Sequence, residues 1–376
     1  MIGKSIIAGG LGFSVLHIGG SPTEENTETE GLYESIPFKY APCTCVKIKN
    51  RYIRIGQYLL GFVLAIFHLM LRSHSSGKTC VYVFLGPGLL EAVFCTFLRL
   101  ARVPFVHEIN EWWPGNNSAS KLVQWFRNGP CLRLSSGTIV ISRFIEDRLR
   151  MLIKDKNIPN DILRVPALVD SSEVDKCAAN GPKFSIKSPY FLWCGDIKGY
   201  MRDIRFMIKT LSFALTSGAD CRLVLVGSVS SDTEGTIRSF MKDHNVPNDR
   251  IIFTGYVSDD DLKALTRQSH ALLLPLWSDE RSVARFPTKL GDYLLSSRPV
   301  ITCAIGDLCT FLSDGESAFL CPMADEALFA DKICMTLRDP RLADRVGRAG
   351  ANQAVNALDY RRYSSALARL FIENLR

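Results

Sequence analysis

The chain has 376 residues, enough for two or three domains at roughly 150 residues each, and two is the natural count. Hydrophobic residues make up 47% and charged residues 22%, and the 27 glycines and 17 prolines are ordinary usage, so disordered, collagen-like and low-complexity classes are excluded. The net charge of +7 suits an anionic small molecule or an anionic membrane surface, and with no polybasic arm in the sequence nucleic acid is excluded as a partner.

In chain order, residues 1–10 read as the tail of a helix, followed by the strand Phe13–Ile18 (FSVLHI). A doubly wound domain normally opens with a strand and a glycine-rich turn, so the first strand of this domain is expected to be absent. The run Tyr58–Leu71 (YLLGFVLAIFHLML) carries no formal charge over 14 residues, short of the roughly 20 needed to span a bilayer. Lys47, Lys49, Arg51 and Arg54 precede it and Arg72 and Lys78 follow. Two readings fit: a buried core helix, or a helix lying at the headgroup boundary that makes peripheral membrane contact through 46–78. In neither does the segment cross. Val81–Gly86, Pro104–Ile109 and Gly137–Ser142 read as buried strands, with helical patterns over Leu89–Arg102 and Arg143–Leu152.

The polar stretch 173–188, with Asn180, Gly181 and Pro182, interrupts the alternation and reads as a linker. Strand patterns resume at Tyr190–Gly195, Arg222–Gly227, Arg250–Gly255, Ala271–Leu276, Arg298–Cys303 and Ala318–Pro322, separated by helical stretches. The pattern is α/β: two doubly wound, Rossmann-like domains over 1–172 and 189–358, with a last helix over 359–376. Such sheets bind ligands at the carboxyl ends of their strands. The twelve cysteines include no CxxC pair, which argues for reduced, mostly buried thiols in a cytoplasmic protein and against structural zinc or a disulfide framework. No charged run followed by a long apolar segment opens the chain, so no secretory signal is expected. Gly86-Pro87-Gly88 lacks the GK[ST] of a phosphate-binding P-loop, and no G-x-S-x-G elbow occurs.

Four segments in register, RLVLVGS, RIIFTGYVSDDDLKALTRQSHALLLPL, FPTKLGDYLLSSRPVI and LSDGESAFL, resemble the donor-nucleotide half of a family 4 glycosyltransferase. The first half is similar to that family more loosely, through VPFVHEINEWWP and IVISRFIEDRL. The resemblance implies a GT-B fold of two facing Rossmann-like domains and retaining transfer of a sugar from a nucleoside diphosphate to a saccharide or lipid-linked acceptor. It implies a final helix that crosses back to the first domain, and no cofactor or metal. It points to cell-surface polysaccharide or glycolipid synthesis at the cytoplasmic face of a membrane. Alternatives are a non-catalytic GT-B partner subunit and a GT-B-fold nucleotide-sugar epimerase.

The resemblance also carries residue roles. The loop GDIKGYMRDIRF begins at Gly195 and offers Lys198 and Arg202 to the diphosphate, with Arg202 nearest the family's usual lysine. Lys289 is the second basic candidate, in a segment whose helix is expected to begin near Pro287 with Phe286, Pro287 and Thr288 at the donor. Asp292 stands where the family has a ribose-binding glutamate, Tyr256 and Val257 stand at the base-binding backbone, and Ala284 replaces a glutamate that contacts the donor sugar. In the first half, His107 matches a histidine near the reacting sugar, and Glu108 and Glu111 lie on the acceptor side. Trp112 and Trp113 are placed to stack on a sugar or meet lipid, with core packing as the alternative.

Overall fold

A computed structural model describes residues 1–19, 28–42, 44–46, 48, 50–75, 79–85, 89–112, 118–173, 186 and 189–374. The chain forms two compact units, residues 1–166 with 360–376, and residues 167–359. The first boundary falls six residues ahead of the expected 172. Val169 pairs with Asp359, and the Ser171 amide donates to the Asp359 carboxylate at 3.1 Å, which ties this stretch to the second unit. Most of the expected linker, 174–185 and 187–188, lies outside the described residues, as does Gly86-Pro87-Gly88.

The first unit opens with α1 (Ile2–Ala8) and β1 (Val15–His17). An unforeseen hairpin follows, β2 (Glu30–Tyr33) and β3 (Ile36–Tyr40), turning through Glu34 and Ser35 at φ 47° and 67°. Both turn residues are left-handed, as a two-residue hairpin demands, yet neither is the glycine or asparagine that signals one. β1 joins β3 in parallel to make a three-stranded sheet. Next come α2 (Arg51–Ser75), β4 (Val81–Val83), α3 (Leu89–Leu100), β5 (Phe105–Ile109), α4 (Ser118–Phe126), a π turn over Arg127–Cys131, and α5 (Leu132–Leu134). β6 (Gly137–Val140), α6 (Arg143–Lys156) and β7 (Asp161–Arg164) complete a four-stranded parallel sheet in the order β4-β5-β6-β7. α6 is bounded by the Ser142 side chain, which accepts from the Ile145 amide, and by left-handed Asn157.

Helix α2 is longer than its apolar run. Asn50 accepts the Tyr52 amide at 2.9 Å and starts the helix seven residues before that run begins. The stretch Tyr52–Leu71 is, by length and composition, apolar enough to cross a membrane, so the length argument against crossing does not hold. Phe62 and Ala65 sit in the core of the unit, with Phe62 against Phe94 at 5.4 Å, while Leu59, Leu60, Val63, Phe67 and Leu71 stay exposed on the other face.

The second unit is a six-stranded parallel sheet in the order β10-β9-β8-β11-β12-β13. Its elements are β8 (Tyr190–Cys194), α7 (Met201–Thr216), β9 (Arg222–Val226), α8 (Ser231–Asp243), β10 (Ile251–Gly255), α9 (Asp259–Gln268) and β11 (Ala271–Leu274). They continue with α10 (Glu280–Val283), α11 (Thr288–Leu295), β12 (Val300–Cys303), α12 (Leu308–Phe311), β13 (Phe319–Cys321), α13 (Glu326–Arg338) and α14 (Pro340–Leu358). All six strands stand where the apolar runs placed them. The four central strands, β9, β8, β11 and β12, are buried on both faces, the condition of a parallel sheet covered by helices on either side, while the edge strand β10 is largely half-buried. Phe206 of α7 locks that cover to α13 by an edge contact with Phe329 at 4.9 Å.

The last helix, α15 (Ser364–Glu373), belongs to the first unit. Phe371 meets Tyr82 at 6.3 Å, and the Ser5 hydroxyl donates to the Tyr360 carbonyl at 2.6 Å. Among the described residues every cysteine is free, and only Cys309 is exposed.

Candidate active site

In the second unit the chemistry gathers at the carboxyl ends of β8, β9 and β10, where each strand finishes next to a glycine. Gly195 donates its amide to Val226, and Gly227 donates to the Gly255 carbonyl at 3.0 Å. Gly227 has φ +149°, and a Cβ there would lie 2.1 Å from the Gly195 oxygen. Only glycine permits this approach, so the edge is left clear of side chains for a ligand to meet backbone.

Lys289, in the first turn of α11, fills the space that Gly195 leaves. Its ammonium lies 4.5 Å from the Trp193 ring centre and 5.3 Å from that of Tyr200. A Cβ on Gly195 would come within 2.3 Å of that nitrogen. Burial pushes the Lys289 pKa below the usual lysine range, and the neighbouring Cys194, Asp203 and Asp196 oppose the shift. Tyr293 fixes the helix, because its buried hydroxyl accepts the Cys194 amide at 2.8 Å. Pro287 stands just before α11, and no side chain caps the helix, so its first amides are open to an anion.

The other basic candidates are placed differently. Arg202 stacks on Trp277 at 3.6 Å and reaches Asp279 at 3.5 Å, so the residue aligned with the family lysine is held beside the edge while Lys289 occupies it. Lys198 is exposed on the turn before α7. Phe286, expected at the donor, has its ring buried against Phe311 at 5.5 Å. Thr288, Asp292 and Tyr256 are exposed and Val257 partly so, at the start of α11 and the end of β10.

Two neighbours escaped the sequence reading. Asp203 is nearly buried and accepts from Trp277 Nε1 at 2.8 Å, while burial raises its pKa against the pull of that bond, Lys289 and Arg202. The available signal was an aspartate on the apolar face of α7. Asp279 also caps α10 by accepting from the Ser282 amide at 3.0 Å. Ala284, in place of the family glutamate, is fully buried.

In the first unit, His107 is expected at an open strand end, but the ring has no exposed surface. Its Nε2 lies 2.8 Å from Glu91, whose other oxygen accepts from Arg127 Nε at 3.2 Å. Arg127 also donates to the Glu111 carbonyl at 3.1 Å. Burial raises the Glu91 pKa, but His107 and Arg127 outweigh it and hold the carboxyl below its usual range. Glu91 and Arg127 were invisible to motif reasoning, since their partners lie 16 and 36 residues away along the chain. The network fixes the β5 end and the start of the following loop.

Glu108 points off the other face of β5, only partly exposed, and burial raises its pKa to about 7. Glu111 is partly exposed beyond the strand. Trp112 is core, edge-on to Phe144 at 5.9 Å, and Trp113 lies outside the described residues. Among the described residues no cluster of His, Cys, Asp or Glu is arranged to hold a metal ion.

Residues 188–339 match the sequence model of the family described as "Glycosyl transferases group 1". Comparison with curated proteins gives no significant match. Among solved structures the fold is similar to that of sucrose-phosphate synthase from Thermosynechococcus elongatus, with TM-score 0.71 and 16% identity over 99% of this chain and 91% of that one. It is similar to a glycosyltransferase from Rickettsia africae, with TM-score 0.68 and 14% identity over 99% of this chain and 95% of that one. It is also similar to HepE of Anabaena in complex with UDP and glucose, with TM-score 0.62 and 14% identity over 90% of this chain and 86% of that one. The chain thus has the GT-B fold of two Rossmann-like units, and residues 188–339 of its second unit match the sequence model of group 1 glycosyl transferases.

Proposed function

We propose that the chain is a glycosyltransferase that moves a sugar from a nucleoside diphosphate to a saccharide or lipid-linked acceptor, with retention of configuration, in the manner of family 4. One observation carries this: a desolvated lysine ammonium, Lys289, at a glycine-lined strand edge beside the uncapped start of α11. A cation freed from competing water and a helix N-terminus neutralise a departing diphosphate well. A protein of the same fold holds UDP and glucose, which supports a nucleotide-sugar donor.

In this reading Lys289 and the first α11 amides hold the diphosphate, Arg202 and Lys198 approach from the rim, and Asp292 accepts from the ribose. The backbone at Tyr256 and Val257 meets the base. The glycosidic C–O bond breaks and its electron pair passes to the phosphate oxygen. The acceptor oxygen bonds to the same face of the sugar, and its proton goes to that phosphate oxygen. No protein nucleophile and no metal takes part. Glu108 and Glu111 orient the acceptor.

The exposed apolar face of α2 supports a lipid-linked acceptor and a place at the cytoplasmic face of a membrane, in polysaccharide or glycolipid synthesis. The test is consumption of nucleotide sugars with and without a lipid-linked acceptor. Acceptor-dependent release of nucleoside diphosphate supports transfer. Acceptor-independent epimer or free sugar, or no consumption, contradicts it.

A further inference from the structure

The first unit carries a second polar site, at the amino ends of its strands. A cavity of about 840 Å³ opens among Arg99, Arg102, Arg133, Ser136, Asn160 and Asp161. Pro104, Ser136 and Asn160 immediately precede β5, β6 and β7, so this cavity lies at the sheet edge opposite the one where Glu108 and Glu111 stand.

Three features suggest a built site. Arg102 has φ +57° in the cap that ends α3, a conformation that favours glycine or asparagine, and here an arginine is kept in it. Among the described residues no ion pair engages Arg99, Arg102 or Arg133, and Asp161 is the one carboxylate lining the cavity. Asn160 donates from Nδ2 to the Leu132 carbonyl at 3.0 Å and the Ser135 hydroxyl at 2.8 Å, which pins the cavity wall between β7 and the end of α5. Arginines suit a phosphate.

The neighbouring surface says where that ligand comes from. Leu100, 77% exposed, follows Arg99 of the cavity along the chain and lines an apolar groove between α3 and α4. Leu89, Val93, Phe97 and Trp125 line the groove. With α2 packed beside α3, three successive helices expose apolar side chains, and on α3 the exposed Leu100 directly follows Arg99 of the cavity. A soluble metabolite would need only the cavity. A lipid needs both.

We propose that this cavity binds the phosphate headgroup of an anionic lipid, as in phosphatidylglycerol, while the α2–α4 stripes take the bilayer. The inference rests on the membrane contact proposed above and adds a headgroup site to it.

The test is co-sedimentation of the full chain with phosphatidylcholine vesicles and with vesicles of phosphatidylcholine and phosphatidylglycerol in equal parts. Wild type binds the anionic vesicles at least about ten-fold more tightly, and Arg99→Gln or Arg133→Gln each loses about five-fold of that preference. Arg102→Gly loses as much while its melting temperature stays level or rises, since glycine accepts the left-handed backbone. Lys154→Gln, which removes one charge from exposed α6, keeps the preference. Leu100→Ser weakens binding to both vesicles alike. Equal binding to both compositions, unchanged in the arginine variants, overturns the headgroup site and leaves the membrane contact standing. Binding to neither overturns the contact and, with it, the lipid assignment. If glycerophosphoglycerol then still binds and Arg102→Gly abolishes it, the cavity serves a soluble phosphate ester instead.

Discussion

The Lys289 ammonium packs directly on Gly195: a Cβ at 195 would lie 2.3 Å from that nitrogen and 2.7 Å from the Trp193 ring. Gly195→Ala therefore displaces the cation from the strand edge without removing it from the chain. Nucleoside diphosphate affinity, read by titration calorimetry, is expected to fall by about ten-fold, the loss of one charge-assisted contact. The variant should still melt cooperatively.

Lys289 also makes binding depend on pH, with a sign that follows from its burial. Its pKa is depressed below 10.5, so between the lowered value and 10.5 the native state holds fewer protons than the unfolded chain. Stability therefore rises with pH across that window, because the cost of burying the charge disappears as the lysine loses its proton. Diphosphate binding favours the charged form, so affinity weakens as pH climbs through the depressed pKa. Lys289→Met should lose both the affinity and that alkaline limb.

Arg202 is already engaged by Trp277 and Asp279, at 3.6 Å and 3.5 Å. A ligand that recruits it must draw it from those partners, which reduces its net contribution. Arg202→Ala is expected to lower turnover by only a few-fold, well short of Lys289→Met, in parallel steady-state kinetics. An equal or larger effect would put Arg202 on the diphosphate.

The buried Glu91 carboxylate holds His107 and Arg127 together. Glu91→Ala leaves the Arg127 charge uncompensated, and such deletions cost about 3–5 kcal/mol in denaturant unfolding. The Glu91 pKa is depressed, so the stability it supplies is fully present above the ordinary glutamate pKa and disappears as pH falls through the lowered value. Acid unfolding of Glu91→Gln should lack that component.

Glu108 behaves in the opposite sense. Its pKa, raised to about 7 by burial, means the native state binds more protons than the unfolded chain between 4.5 and that value, so stability declines as pH rises across the interval. Allowing for partial exposure, Glu108→Gln should gain roughly 1–2 kcal/mol above neutral pH and little below the ordinary carboxylate range. Chemical denaturation at two pH values reads the difference.

The second unit was legible because a parallel sheet buries both faces of each strand. Runs such as RLVLVG and ALLLPL therefore announce themselves, and the glycines after the strands mark the ligand edge. The first unit was less so. The β2–β3 hairpin turns on Glu34 and Ser35, which carry no turn signal, and β7 (DILR) is short and half polar. Helix α2 outran its apolar run because an asparagine cap, and not hydrophobicity, sets its start. Site residues divided in the same way. Lys289 stood in a local motif, whereas the burial of His107, Phe286 and Trp112 depends on partners such as Glu91, Phe311 and Phe144, distant in the chain or outside any motif.

Calorimetric titration of the full chain with UDP, GDP, TDP and ADP, beside Lys289→Met, tests the assignment most directly. At least one nucleoside diphosphate should bind at one site per chain, and the variant should bind it about ten-fold or more weakly. Binding of none, or binding that Lys289→Met leaves unchanged, would contradict a diphosphate held at the β8 edge.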